Sequence, residues 1–237
     1  MKKRIWELDA FRGLCILGMV LVHLVYDLTK LYGILQWQAP ESFHFVQQWG
    51  GVLFFLVSGI SATLGRHSIR RGLIVLGCGV VVSAVTWGMV LLNFAGNGMQ
   101  IYFGVLHCLG CCMILWGLIK KLPAWALGLL SAAFLALGFW FMGLPPVDTY
   151  WLMPLGLSWE GFASSDYFPL LPYLGFFLAG ALLGRLVYKN KESLLPGVNE
   201  NNPILRALRF CGRHSLWIYM LHQPVLAGLC MILTMIL

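Results

Sequence analysis

The sequence predicts an all-α polytopic membrane protein, and two observations carry this prediction. Of its 237 residues, 59% are hydrophobic and only 11% are charged, whereas an ordinary soluble domain has about 25% charged residues. The apolar residues also gather into runs of roughly 20, the length that a helix needs to cross a bilayer. The seven runs lie near residues 10–32, 45–65, 71–92, 101–119, 124–143, 168–188 and 213–236. We expect a single transmembrane domain over residues 1–237, a bundle of about seven transmembrane helices.

The distribution of lysine and arginine sets the expected orientation of this bundle. If the N-terminus is cytoplasmic, the outer segments hold only Lys30 among the lysine and arginine residues. The inner segments hold Lys2, Lys3, Arg4, Arg66, Arg70, Arg71, Lys120, Lys121, Arg185, Lys189, Lys191, Arg206, Arg209 and Arg213. This asymmetry predicts a cytoplasmic N-terminus and a C-terminus outside. The net charge of +7 is then mainly a topology signal, and we expect no nucleic-acid partner. Residues 203–212 read as a short amphipathic helix on the inner surface.

The first predicted span, "RGLCILGMVLVHLVYDL", carries three polar residues on nearly one face. Arg12 and His23 are eleven residues apart, about three helical turns, and Asp27 follows His23 by four. A charge at mid-bilayer costs about 2.5–3.5 kcal/mol on insertion scales, so the stripe should face the protein interior. In one interpretation His23 and Asp27 pair only to hold helices together. In the other, Asp27 fixes the tautomer of His23, which acts as a general base or nucleophile.

Two more histidines fall near the depth of His23 in the predicted bundle. They are His107 in the fourth run and His222 in the seventh, where Tyr219 shares the face of His222. Three histidines at one level suggest a shared cavity, although a lone membrane histidine is usually a satisfied hydrogen-bonding residue. No two of them have ligand spacing on one helix, so we expect no metal.

Two polar segments outside the spans carry further candidates. The loop "GRHSIRR" holds Arg66, Arg70 and Arg71, which serve either as a topology anchor or as bidentate ligands for phosphate. On the outer side, Trp151, Asp166 and Tyr167 precede the sixth span. Such aromatics are ordinary at a membrane interface, and they also suit sugar stacking.

Five stretches of the chain, in order from Arg4 to Leu226, resemble one family. They are "RIWELDAFRGLCILGMVLVHLVYDL", "LFFLVSGISATLGR", "FGVLHCLG", "SSDYFPLLPYLGFFLAGALLGR" and "GRHSLWIYMLHQPVL". Together they resemble the bacterial relatives of heparan-alpha-glucosaminide N-acetyltransferase, within the transmembrane acyltransferase superfamily. The resemblance implies acetyl transfer from cytosolic acetyl-CoA to an acceptor across the bilayer. It also implies a multi-pass protein of the bacterial inner membrane, with an amino sugar or another envelope glycan as acceptor.

The resemblance assigns roles to particular residues. His23 matches the family's histidine, Arg12 its arginine, and Arg70 and Arg71 the basic loop that is proposed to hold CoA. With these roles, His23 would act as base or accept the acetyl group, and an oxyanion donor would complete the site. The candidates for this donor are Tyr219, His222 and His107. Two choices stay open: whether the acetyl group goes to a nitrogen or an oxygen, and whether the reaction passes through a ternary complex or an acetyl-histidine intermediate.

Two other functional classes remain as alternatives at this point. In a proton-coupled transporter, the stripe of the first span would relay protons. In a non-enzymatic membrane subunit, the polar residues would only specify packing. A Gly180-x-x-x-Gly184 pattern permits close helix packing, within the protein or in a homodimer.

Overall fold

The computed structural model describes residues 5–38, 40–96, 98–199 and 202–236, and these residues form helices and loops without a strand. The all-α prediction is therefore confirmed for the described part of the chain. Lys2, Lys3 and Arg4, which entered the topology argument, lie outside the described residues. The single domain predicted over residues 1–237 stays a prediction.

The described residues contain eight α-helices. They are α1 (Trp6–Tyr26), α2 (Glu41–Leu64), α3 (Ser68–Leu91), α4 (Val105–Ile119), α5 (Ala124–Met142), α6 (Leu170–Val187), α7 (Pro203–Arg213) and α8 (Ser215–Ile236). A π-helical turn, Asp27–Leu31, continues α1, and a 3-10 turn, Tyr150–Leu155, precedes α6.

Five helical segments are long and apolar enough to cross a membrane. They are Trp6–Leu31, Ser68–Leu91, Ala124–Met142, Leu170–Val187 and Ser215–Ile236. Two shorter apolar helices, Trp49–Leu64 and Val105–Ile119, cover the remaining predicted runs. Each predicted run is thus helical, but the count of seven spans stays a prediction.

The short amphipathic helix predicted over residues 203–212 is present as α7. Pro203 occupies its first turn, where a missing N–H costs nothing. Oδ1 of Asn202 accepts a hydrogen bond from the backbone N–H of Ile204 at 2.9 Å and so caps the helix. The location of α7 on the inner membrane surface stays a prediction.

The chain forms two compact units, and the first consists of Met1–Val57 with Asn190–Leu237. Here α1 packs against both α7 and α8. The backbones of α1 and α7 are in contact where Gly13 faces Leu208 and where Gly212 faces Asp9. Only glycine fits at these two positions, because a Cβ there would collide with the facing carbonyl oxygen. This crossing brings the start of α1 against the end of α7.

The second unit, Ser58–Lys189, pairs α3 with α4 and α5 with α6. At the first pairing, a Cβ on Gly72 would lie 2.8 Å from the carbonyl oxygen of Gly110. Gly184 of the small-residue pattern packs on Ile60 and Thr63 of α2, so this glycine serves packing within the chain. The homodimer stays a prediction.

Charge is segregated along the second unit. The ends of α4 and α6 are joined because both guanidinium NH₂ groups of Arg185 donate to backbone carbonyls, of Leu122 and Lys120. The start of α3 lies at the same end, because Ile69 packs on Gly117. This end therefore gathers the basic residues Arg66, Arg70, Arg71, Lys120, Lys121 and Arg185, as the positive-inside pattern requires of one membrane side.

Candidate active site

The first unit brings together two of the predicted catalytic histidines. The rings of His23 on α1 and His222 on α8 meet edge to face, with centroids 4.8 Å apart and planes at 81°. These residues are 199 positions apart in the chain, so only the packing of α8 on α1 unites them. Their pairing in one site is what similar depth in neighbouring spans predicts.

Backbone carbonyls orient both imidazole rings. Nδ1 of His23 lies 2.9 Å from the carbonyl oxygen of Met19, and Nδ1 of His222 lies 2.6 Å from that of Tyr219. A carbonyl only accepts a hydrogen bond, so Nδ1 of each ring carries the proton. The neutral rings therefore present the Nε2 lone pair, the form in which a histidine acts as a base or nucleophile.

Asp27 is fully buried one turn beyond His23, where α1 passes into its π-helical turn. The expected hydrogen bond between the Asp27 carboxylate and His23 is not formed. The carbonyl of Met19 lies one turn back on the same helix and takes the Nδ1 proton instead, a local competition that helices commonly allow. Met19, not Asp27, sets the tautomer of His23. π-Helical turns of this kind are frequent at functional sites.

Several buried polar atoms of the first unit have no hydrogen-bond partner among the described residues. They are both carboxylate oxygens of Asp27, Nε2 of His222 and Oε1 of Gln223. Asp27 lies beside the Gln223 side chain and within electrostatic range of His23. Buried polar groups of this kind are costly, and such a cluster is suited to bind a polar group of a substrate.

The oxyanion role predicted for His222 changes with its tautomer. Neutral His222 offers an acceptor at Nε2, so it can donate a hydrogen bond from that atom only as the imidazolium. The ring of Tyr219 lies 5.4 Å from the His222 ring, and its hydroxyl needs no such protonation to donate. The oxyanion role of Tyr219 stays a prediction.

At the other end of α1, Arg12 belongs to an ion-pair group that the sequence analysis missed. Nη1 of Arg12 lies 3.5 Å from Oδ1 of Asp9, and Nε of Arg213 lies 3.3 Å from Oδ2 of the same carboxylate. Asp9 is buried. The i, i+3 spacing of Asp9 and Arg12 is a visible signal in the sequence. No sequence spacing indicates that Arg213 joins this group, because its position depends on the packing of α7 against α1.

His107 belongs to the second unit and has a structural role there. Its Nδ1 accepts a hydrogen bond from the backbone N–H of Gly104 at 3.3 Å, and its Nε2 lies 3.4 Å from the hydroxyl of Ser83. The ring also fills the space beside Gly79. His107 is therefore a satisfied histidine that caps the start of α4, and the oxyanion role predicted for it has no support in these contacts.

Asp166 also acts at the start of α4. Its Oδ2 accepts a hydrogen bond from the backbone N–H of Val105 at 3.1 Å, at the positive end of the helix dipole. Its backbone carbonyl accepts from the hydroxyl of Ser164 at 3.0 Å. The substrate-binding role predicted for Asp166 must share this carboxylate with a helix cap.

We expect Asp166→Ala to lower the free energy of unfolding by about 0.5–2 kcal/mol, the usual cost of losing a cap. The melting temperature followed by tryptophan fluorescence checks this. Asp148→Ala is the matched control, because Asp148 is an exposed carboxylate in the same unit. Equal melting temperatures for Asp166→Ala and the unmodified protein would contradict the capping role.

Tyr167 lies in an aromatic group of the second unit, and Trp151 is an exposed residue of the same unit. The hydroxyl of Tyr167 donates to the carbonyl oxygen of Met153 at 2.7 Å, and burial raises the pKa of Tyr167 to about 12. Phe162 links the ring of Tyr167 to that of Trp159, with centroids 4.8 and 4.7 Å apart. Trp151 is 89% exposed. Tyr167 is thus structural in its hydroxyl, whereas Trp151 offers a free ring face.

The three arginines of the predicted phosphate loop are exposed at the junction of α2 and α3. Arg66 lies in the loop, and Arg70 and Arg71 lie in the first turn of α3. Among the described residues, no group of three or more His, Cys, Asp or Glu side chains is arranged to hold a metal ion.

Of the comparisons with known proteins, the one with protein families gives a match. The family model described as heparan-alpha-glucosaminide N-acetyltransferase, catalytic, matches residues 4–224. No curated protein and no solved structure matches the chain. Together with the five apolar helices, the match indicates a multi-pass integral membrane protein. The chain belongs to the heparan-alpha-glucosaminide N-acetyltransferase catalytic family, whose members are membrane acetyltransferases that use acetyl-CoA as donor.

Proposed function

We propose that this protein moves an acetyl group from cytosolic acetyl-CoA to an amine or hydroxyl of an extracytoplasmic acceptor, an amino sugar or another envelope glycan. The observation that carries the proposal is the His23–His222 pair beside the buried carboxylate of Asp27. Membership in an acetyltransferase family supports acetyl transfer as the reaction in which these side chains act.

In the proposed reaction, Nε2 of His23 removes the proton of the acceptor as its nitrogen or oxygen attacks the thioester carbonyl. The resulting tetrahedral oxyanion receives a hydrogen bond from the Tyr219 hydroxyl. When the carbon–sulfur bond breaks, the His23 imidazolium returns the proton to the leaving CoA thiolate. Asp27 lies within electrostatic range of His23 and stabilises its transient positive charge.

The proposed topology has seven spans, with the N-terminus in the cytoplasm and the C-terminus outside the bacterial inner membrane. The shorter apolar helices within α2 and α4 complete the count. The gathering of basic residues at one end of the second unit supports this orientation. On this assignment, α7 rests on the cytoplasmic surface.

The acceptor site is proposed on the outer side, near Trp151, Tyr167 and Asp166. The exposed ring face of Trp151 suits stacking against a sugar. Tyr167 supports this surface through its bond to Met153. Asp166 is anchored at the start of α4 and contributes negative charge near a cationic or polyhydroxyl acceptor.

The direct test measures acetyl-CoA consumption by the purified protein in lipid nanodiscs, with glucosamine as the probe acceptor and CoA thiol release as the readout. Binding of acetyl-CoA by calorimetry accompanies it. We expect both binding and acceptor-dependent thiol release. If acetyl-CoA is neither bound nor consumed, the acyltransferase proposal is wrong and the transporter and non-enzymatic alternatives survive.

The double variant Arg70→Ala/Arg71→Ala should raise the Kd for acetyl-CoA by roughly tenfold or more, because each arginine can make charge-assisted hydrogen bonds to a phosphate. The control is Lys120→Ala/Lys121→Ala, which removes the same charge from exposed residues at the same end of the second unit. Calorimetric titration measures both. An equal rise in the two double variants would reduce the effect to general electrostatic attraction.

A further inference from the structure

We propose that Arg12 and Arg213 together bind the diphosphate of the acetyl donor, and that Asp9 is the positioning residue that holds them. The inference rests on the proposed function and specifies its donor site. The ligand chemistry is a phosphate diester or anhydride, which both the CoA diphosphate and an anionic lipid headgroup carry. We assign the site to CoA.

The two arginines come from different helices and meet at one carboxylate. Oδ1 of Asp9 accepts a hydrogen bond from Nη1 of Arg12, and Oδ2 accepts one from Nε of Arg213. The backbone contacts of α1 and α7 at Gly13 and Gly212 fix the crossing on which this arrangement depends. Two positive formal charges thus meet one negative charge at this carboxylate.

Arg213 retains hydrogen-bonding capacity after its bond to Asp9. Its contact uses Nε, and among the described residues Asp9 is its only polar partner. The two terminal NH₂ groups therefore stay available on a side chain that is 37% exposed. A guanidinium with such a pair of donors matches two oxygens of a phosphate group.

The distance along α1 favours the diphosphate over the other phosphate of CoA. Arg12 and His23 lie on one helix, eleven residues apart, which corresponds to about 16 Å of rise. In CoA the diphosphate joins the nucleoside to the pantetheine arm, and the thioester lies at the far end of that arm. An arm of roughly this length would carry the thioester from Arg12 to His23 along the helix axis.

A purely structural role is the competing explanation, because an ion pair between α1 and α7 also stabilises their packing. Such a role affects every ligand equally, whereas a diphosphate site affects only ligands that carry the diphosphate. The test therefore compares CoA, 3′-dephospho-CoA and pantetheine. The first two keep the diphosphate, and pantetheine lacks it. Calorimetry gives the Kd values for the first two, and competition against CoA gives that for pantetheine.

We expect Arg213→Gln to raise the Kd of CoA and of 3′-dephospho-CoA by about tenfold or more, as loss of a charge-assisted hydrogen bond implies. The Kd of pantetheine should stay unchanged. Arg206→Gln is the matched control, because it removes the same charge from an exposed position on α7. Asp9→Asn should follow Arg213→Gln in its ligand dependence, and Asp9→Glu should partly restore CoA binding.

Several results would overturn the inference. Equal weakening of all three ligands would show a structural role, and an effect on CoA alone would assign the arginines to the 3′-phosphate. Weakening by Arg206→Gln as large as that by Arg213→Gln would show diffuse attraction.

Nanodiscs with and without anionic lipid test whether the site binds a lipid headgroup. If anionic lipid competes with CoA and Arg213→Gln abolishes this competition, the site is assigned to lipid. If the unmodified protein binds no acetyl-CoA, the proposed function itself is wrong; intact turnover with an unaffected Arg213→Gln rejects only this site.

Discussion

His23→Gln should lower kcat by about 10²–10⁴-fold, the range that a positioned general base contributes, while the Kd for acetyl-CoA stays unchanged. The imidazole presents Nε2 as a lone pair because Met19 holds the proton on Nδ1. Glutamine keeps polarity and similar volume but has no group that accepts a proton near neutral pH. Binding should survive, because the phosphates of the donor lie away from this ring in the proposed site.

Thiol release with glucosamine gives kcat, and calorimetry gives the Kd. His214→Gln is the matched control, because His214 is an exposed histidine of the same unit, at the junction of α7 and α8. It should retain the activity of the unmodified protein. A His23→Gln variant with full kcat would remove His23 from the reaction. Loss of both kcat and acetyl-CoA binding would instead indicate that the ring supports the structure.

The same site shows how far sequence reasoning reached. His23 and His222 were expected together because each lies about midway along a span. The position of a residue along a span gives its depth in the membrane, and this position can be read from the sequence. The bond between Asp27 and His23 was expected from i, i+4 spacing and is not formed. Spacing places side chains on one face, but it does not decide which of two nearby acceptors, here the Met19 carbonyl or the carboxylate, takes a proton.

The roles in the second unit depended on contacts that no local pattern specifies. His107 was grouped with the other histidines by depth alone, and its ring is engaged by Gly104 and Ser83. Asp166 was assigned from its place outside a span, and it caps a helix 61 positions earlier in the chain. Composition predicted the helices well because burial in lipid acts on whole segments. Pairings between distant residues depend on packing, which a single sequence does not display.

Asp9 and Gln223 are residues that the structure places at these sites and that the sequence did not single out. Asp9 was not among the candidates from the sequence, yet its carboxylate joins two helices. Gln223 follows a candidate histidine directly, and its buried amide oxygen has no hydrogen-bond partner among the described residues. Each is a polar residue in a largely apolar stretch of the sequence, and that rarity is the signal that would have marked both as candidates.

The second large effect is expected at the crossing of α1 and α7. Gly212→Ala would place a methyl group against the carbonyl oxygen of Asp9, and Gly13→Ala would do the same against that of Leu208. Backbone atoms cannot turn aside as a flexible side chain does, so the two helices must separate. We expect each variant to lower the free energy of unfolding by about 1–3 kcal/mol or more, as overpacking does.

Gly18→Ala is the matched control on α1, because a Cβ there would meet no atom within 4 Å. This variant should be neutral or slightly stabilising, since alanine is favoured over glycine within a helix by about 0.5–1 kcal/mol. Melting temperatures in detergent, followed by tryptophan fluorescence, measure all three variants. Separation of the helices also draws Arg213 away from Asp9, so Gly212→Ala should weaken CoA binding even at temperatures where it remains folded. Identical melting temperatures for Gly13→Ala and Gly18→Ala would contradict the close crossing, and with it the geometric basis of the arginine pair.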